Sequence, residues 1–182
     1  MKTYTASIAH TEDSIQRLMK NQYLLFNKKV LALQAALCVL GLTLGLGGPF
    51  HLAVRMAFLF LGCWMLPFVA KPGREAARQM IRQLNGVLPS MGYTFYASRM
   101  LCATGGKETA VLYSRIIRLT EDERYYYLFQ DDHACYMVDK QTLRPREEEQ
   151  FRKDLEAACG LEFARVKGIF TMSLQDMLGK RK

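Results

Sequence analysis

A chain of 182 residues with 25 Lys and Arg against 17 Asp and Glu, a formal charge of +8, is long enough for one ordinary domain or for a small domain with a membrane anchor. Its mean hydropathy is near zero, but that average conceals segregation, because Arg55 is the only charged side chain between residues 30 and 70. The charge divides as +3, +1 and +4 over residues 1–29, 30–70 and 71–182; basic residues that interleave with acids, or gather only beside the apolar segment, argue against nucleic acid as a partner.

Residues 3–9 read TYTASIA, alternating Tyr4, Ala6 and Ile8 with small polar residues in a strand-like period of two. Thr11 then offers an N-cap with Glu12 and Asp13 in the first turn, and Ile15, Leu18, Met19 and Gln22 continue at helical spacing. This cytoplasmic strand and helix occupy residues 1–29.

Two apolar runs follow, 30–46 and 50–70. The first spans roughly 25 Å as a helix, and Leu24, Leu25 and Phe26 can extend it while Lys28 and Lys29 snorkel. Neither run carries the polar stripe that a soluble helix pair needs. Gly47-Gly48-Pro49 ends one helix and starts the next, and a link this short makes an antiparallel hairpin. Lys28 and Lys29 precede the hairpin and Lys71, Arg74, Arg78 and Arg82 follow it, while the turn is uncharged until Arg55. The positive-inside tendency then places both termini in the cytoplasm and the protein, multi-pass, in the plasma membrane. No cleavable secretory signal is expected, because the apolar run starts about thirty residues in without a cleavage pattern. Arg55, about one and a half turns into the second helix, is read as snorkelling to the outer interface, with an intramembrane polar site on an ion or substrate path as the alternative. Pro67 should kink or fray the exit. Gly41 and Gly45 form a small-x-x-x-small face, and Ala32 and Ala36 a second, for close helix packing within the hairpin or between subunits.

A juxtamembrane segment, 71–90, is predicted as a basic amphipathic helix with Ala77, Met80, Ile81, Leu84 and Leu88 on one face and Arg74, Arg78 and Arg82 on the other. It would meet lipid headgroups, enforce topology, or do both. From residue 91 to 160 the pattern becomes strands: 93–102, then Gly105-Gly106 as a turn, 109–119, 124–130 and 134–138, forming an antiparallel meander that the first strand can join. Pro145 opens a covering helix, with Phe151, Leu155 and Ala158 on one face and Gly160 at its end. Residues 161–182 read as an amphipathic basic tail.

Tyr113-Ser114-Arg115-Ile116-Ile117-Arg118-Leu119-Thr120-Glu121, then Tyr125-Tyr126-Tyr127-Leu128 and Tyr136-Met137-Val138-Asp139-Lys140, resemble the YcxB-like family of bacterial membrane proteins. The likeness extends to the Glu147, Phe151, Leu155 helix and to the order of parts, and so covers most of the chain. Asp139-Lys140 stands where that family often has a proline-lysine step. The resemblance implies a C-terminal domain similar to a pleckstrin-homology (PH) fold, a small curved sheet closed at one end by a helix, and implies no enzymatic activity.

The fold class expected is therefore an α+β membrane protein: a two-helix transmembrane hairpin with a cytoplasmic PH-like antiparallel β domain capped by a C-terminal helix. Histidines 10, 51 and 133 lie in three separate parts of the chain, which leaves no metal set, and no nucleotide loop, nucleophile elbow or zinc-protease pattern occurs. Five cysteines without a close pair fit a reduced compartment. Glu121, Asp122 and Glu123 read as a solvated turn rather than a general-acid pair. Tyr125, Tyr126 and Tyr127 should point alternately to opposite faces, the outer one free to meet a peptide or the membrane. No cofactor is expected, and the partners expected are membrane lipids, a membrane or cytoplasmic protein, or a second copy. The reading is a non-enzymatic module held at the membrane for interaction or regulation. Its alternative is a small homo-oligomeric transport or permeability protein using Arg55 and the hairpin.

Overall fold

Tyr4 to Ala9 form strand β1, whose register partners run from Phe95 back to Ser90. The structure, a computed structural model, describes residues 2–71 and 73–165. Its secondary structure is α+β, and the chain divides into two compact units: Met1–Leu18 with Ile81–Val166, and a second built on Met19–Met80. The tail proposed over 161–182 lies outside the described residues beyond Arg165.

In the first unit, one sheet has the order β1-β2-β3-β4, with β2 Ser90–Phe95, β3 Arg99–Thr104 and β4 Lys107–Leu112. The second has the order β7-β6-β5-β8, with β5 Arg118–Glu121, β6 Tyr125–Phe129, β7 Cys135–Asp139 and β8 Phe163–Arg165. Two sheets thus replace the single meander, and the second is mixed, because β8 runs parallel to β5. The strand expected over 93–102 is a hairpin turning at 96–98, closed by Tyr96 N–H donating to Arg99 O at 2.9 Å. The run expected over 109–119 is broken by a 3-10 turn, Tyr113–Arg115, whose Tyr113 hydroxyl donates to Tyr96 O at 2.9 Å. Gly105 and Gly106, at φ 56° and 80°, make the two-residue connection of β3 to β4.

Helix α1, Glu12–Phe26, starts on a reciprocal cap: Ser14 N–H donates to Thr11 Oγ1 at 3.2 Å and Thr11 N–H to Ser14 Oγ at 2.9 Å. Helices α2, Lys28–Gly47, and α3, Leu52–Ala70, follow, then α4, Arg74–Gln83. Asn27 separates α1 from α2, so Leu24 to Phe26 belong to the earlier helix, yet hydrogen bonds Asn27 N–H to Tyr23 O and Leu31 N–H to Asn27 O carry across the break. Helix α4 stops short of the expected residue 88 because Asn85 and Gly86 take positive φ.

Helix α5, Glu148–Cys159, closes the first unit and ends at Gly160 in the left-handed region. Its Phe151 is fully buried and meets edge-on rings from β1 and β2, Tyr4 at 5.1 Å and Phe95 at 4.9 Å, and Tyr126 of β6 at 5.4 Å. One side chain thereby ties both sheets together, an arrangement worth more than its buried area through ring geometry. Every residue of β6 is buried. This corrects the expected outer tyrosine: both faces of the strand are covered, and none of Tyr125, Tyr126 and Tyr127 is offered to a partner.

Candidate functional site

Two sets of polar groups stand out, one in each unit. In the first, Glu121 at the end of β5 is buried, not solvated as its acidic neighbours led us to expect. Lys140, just past β7, donates to Glu121 Oε2 at 2.8 Å and to Asp122 O at 2.8 Å, with its ammonium 4.5 Å from the Tyr126 ring. Arg152 of α5 sets Nε 3.4 Å from Glu121 Oε1, an ionic contact whose geometry does not make a hydrogen bond, and reaches Glu156 at 3.5 Å. Burial of one carboxylate is tolerable here because two cations and a ring face surround it. The neighbouring Asp122 serves the turn: its Oδ1 accepts from Arg124 and Tyr125 amides, and its Oδ2 from the Tyr127 hydroxyl at 2.7 Å.

The Glu121 carboxylate is held by Lys140 and Arg152, although Arg152 Nε itself makes no hydrogen bond, and burial holds several phenols and thiols of the first unit in their protonated forms. Desolvation raises the phenols of Tyr126 and Tyr127, with Glu121 adding to the first and the Asp122 hydrogen bond to the second. Burial pushes the Cys159 thiol up to about 11 and the Cys135 thiol well above its ordinary value. Neither thiol supplies appreciable thiolate at neutral pH. Among the described residues no three His, Cys, Asp or Glu side chains are placed to hold a metal ion.

The second set lies at one end of the helical hairpin. Lys28 and Lys29 occupy the first turn of α2, Lys71 follows α3, and Arg74 and Arg78 stand four residues apart on α4, while Arg82, near the end of that helix, belongs to the first unit. Arg78 pairs with Glu75 at 2.9 Å. Lys71 and Arg74 line a cleft of about 210 Å³ together with Tyr23, Pro67, Phe68 and Ala76. Gly73 shapes one wall: its φ is 76°, and a Cβ there would stand 2.6 Å from Met19 O. Only glycine lets the chain turn so close to α1. The basic residues were visible in the sequence, whereas Tyr23 and Phe68 were not; the one signal was the Pro-Gly break between Lys71 and Arg74.

The remaining predicted residues sit within the hairpin. A Cβ on Gly41 would meet Gly62 N at 3.0 Å and Phe58 O at 3.1 Å, and one on Gly45 would meet Leu59 N at 2.8 Å. Both glycines therefore face α3 of their own chain. The Cys38 thiol adds a 3.4 Å contact to Gly62 O. Ala36, from the second small-residue spacing, is exposed. Arg55 turns back on the preceding helix, with Nε donating to Gly45 O at 3.1 Å and Nη2 to Leu46 O. It caps carbonyls that the end of α2 leaves without helical partners.

Compared with known proteins, residues 95–153 match the family described as YcxB-like protein. The matched segment begins at the end of β2 and ends within α5, about a third of the chain, so the likeness covers less than the residue pattern had implied and leaves out the hairpin. No match is found among curated proteins or solved structures.

Proposed function

We propose that this is a non-enzymatic integral membrane protein whose hairpin holds a PH-like unit at the cytoplasmic face of the plasma membrane, as an interaction or regulatory module. The observation that carries the reading is the exposure of α2 and α3: both are long and apolar enough to cross a bilayer, yet only 22% of the apolar stretch of α2 and 6% of that of α3 is buried. A core helix of a soluble protein would be covered, and an uncovered apolar surface of this extent calls for lipid. Lys28 and Lys29 support it, since cations at a helix N-terminus oppose the dipole and gain a reason from anionic headgroups.

The PH-like assignment rests on the order of parts: four strands in one sheet, three more beginning the second, then the closing helix α5. The hairpin is inserted between β1 and β2, and Ala9 and Ser90, where the chain leaves and returns, are register partners. An even number of crossings then brings both ends to one side. The transport reading has less support, because Arg55 and the two glycines already have uses inside the hairpin.

The test is expression in a bacterial host with a tag at either end. The expected protein resists alkaline extraction from membranes, and neither tag is cleaved by protease added outside spheroplasts. Release by alkali, or cleavage of one tag alone, would overturn the reading.

A further inference from the structure

We propose that the cleft beside Lys71 and Arg74 is a binding site for the phosphate of an anionic phospholipid, an assignment that rests on the membrane reading above and gives its lipid contact a specific address. The cleft, about 210 Å³ in volume, has two kinds of wall. Pro67 and Phe68, in the last turns of α3, and Tyr23 from α1 make one side apolar. Lys71 and Arg74 make the other cationic. Both are exposed and form no ion pair among the described residues. Glu75 also lines the cleft, but its carboxylate is engaged by Arg78 at 2.9 Å, so the cations are not neutralised locally.

A phosphodiester suits this pairing of surfaces. Its oxygens accept from the guanidinium fork of Arg74 and from the Lys71 ammonium, while the glycerol and first acyl carbons lie on Phe68 and Pro67. A freely mobile patch of lysines would attract anions without shape. Here Gly73, where a Cβ would stand 2.6 Å from Met19 O, holds the chain close against α1, whose Tyr23 lines the same cleft as Lys71 and Arg74. The Tyr23 hydroxyl donates to Gln34 Oε1 at 3.1 Å, which holds the aromatic wall in place.

The experiment is native mass spectrometry of the full chain in neutral detergent, with phosphatidylglycerol and phosphatidylcholine supplied in turn. The wild type should retain one phosphatidylglycerol with about tenfold preference over phosphatidylcholine. Lys71→Gln with Arg74→Gln should abolish that preference, and Lys28→Gln with Lys29→Gln should keep it. A Lys71 and Arg74 variant that keeps the wild-type preference would overturn the proposal, as would displacement of the lipid by millimolar inorganic phosphate, which would assign the site to the free anion. A chain that resists alkaline extraction but shows no lipid preference fails this proposal alone. A chain that never enters membranes removes the reading beneath it as well.

Discussion

The Lys140 ammonium donates to the buried Glu121 carboxylate at 2.8 Å, joining the end of β5 to the segment after β7 across nineteen residues of sequence. Both side chains are about a tenth exposed, so water does little to screen them. Removing one partner should hurt more than removing both. Lys140→Met would leave Glu121 with Arg152 alone and lower stability by about 2–3 kcal/mol, while Glu121→Gln added to it should recover part of that loss. Thermal melts in detergent followed by the near-ultraviolet dichroism of the tyrosines give the comparison. A Lys140→Met protein that melts with the wild type would show that the pair contributes nothing.

The hairpin offers a contrast between two glycines of one helix. Gly45→Val places carbon atoms against the Leu59 backbone, which cannot swing away as a side-chain tip can, whereas Gly47 has nothing within 4 Å of an added Cβ. Unfolding in mixed micelles of rising dodecyl sulfate content should shift markedly for Gly45→Val and hardly for Gly47→Ala. Similar midpoints for the two would mean that α2 and α3 do not meet along this face.

His10 gives a pH dependence. Burial lowers its pKa below the ordinary 6.5, and its Nδ1 lies 3.2 Å from Ser14 Oγ. Above pH 6.5 the ring is neutral in both folded and unfolded chains, and its contribution is fully present. As pH falls through 6.5 the unfolded chain gains a proton that the folded one resists, so stability declines until the depressed folded pKa is reached. His10→Gln should flatten the slope of melting temperature between about pH 7 and pH 5. Asp131 does not confuse the measurement: amides of His133 and Ala134 hold its carboxylate below 3.8, and its contribution is lost only as pH falls further. An unchanged slope in the His10 variant would assign the effect elsewhere.

What the sequence disclosed, and what it withheld, follows from the range of the interactions. The alternation at Tyr4, Ala6 and Ile8 and the two apolar runs, charged only at Arg55, are local patterns, and the elements lie where those patterns put them. The turn at 96–98 has no glycine or proline to announce it; it depends on Tyr113 reaching Tyr96 O from seventeen residues away. Glu121 sits in a run of acids that reads as solvated, and only the distant Lys140 and Arg152 allow it inside. The same holds for the basic end of the hairpin. Its charges are plain in the sequence, but the cleft needs Tyr23 and Phe68 brought beside Lys71 by the fold.

The pairing of β1 with β2 also sets a timetable for synthesis. Ala9 leaves the ribosome some eighty residues ahead of its partner Ser90, and at about 5–20 residues per second that is an interval on the order of 4–16 s. Throughout it the first strand lacks its sheet partner, while the two apolar helices are being made. The strand completes its sheet only after both apolar helices have been made, so closure of the β unit waits on the synthesis of everything inserted between its first two strands.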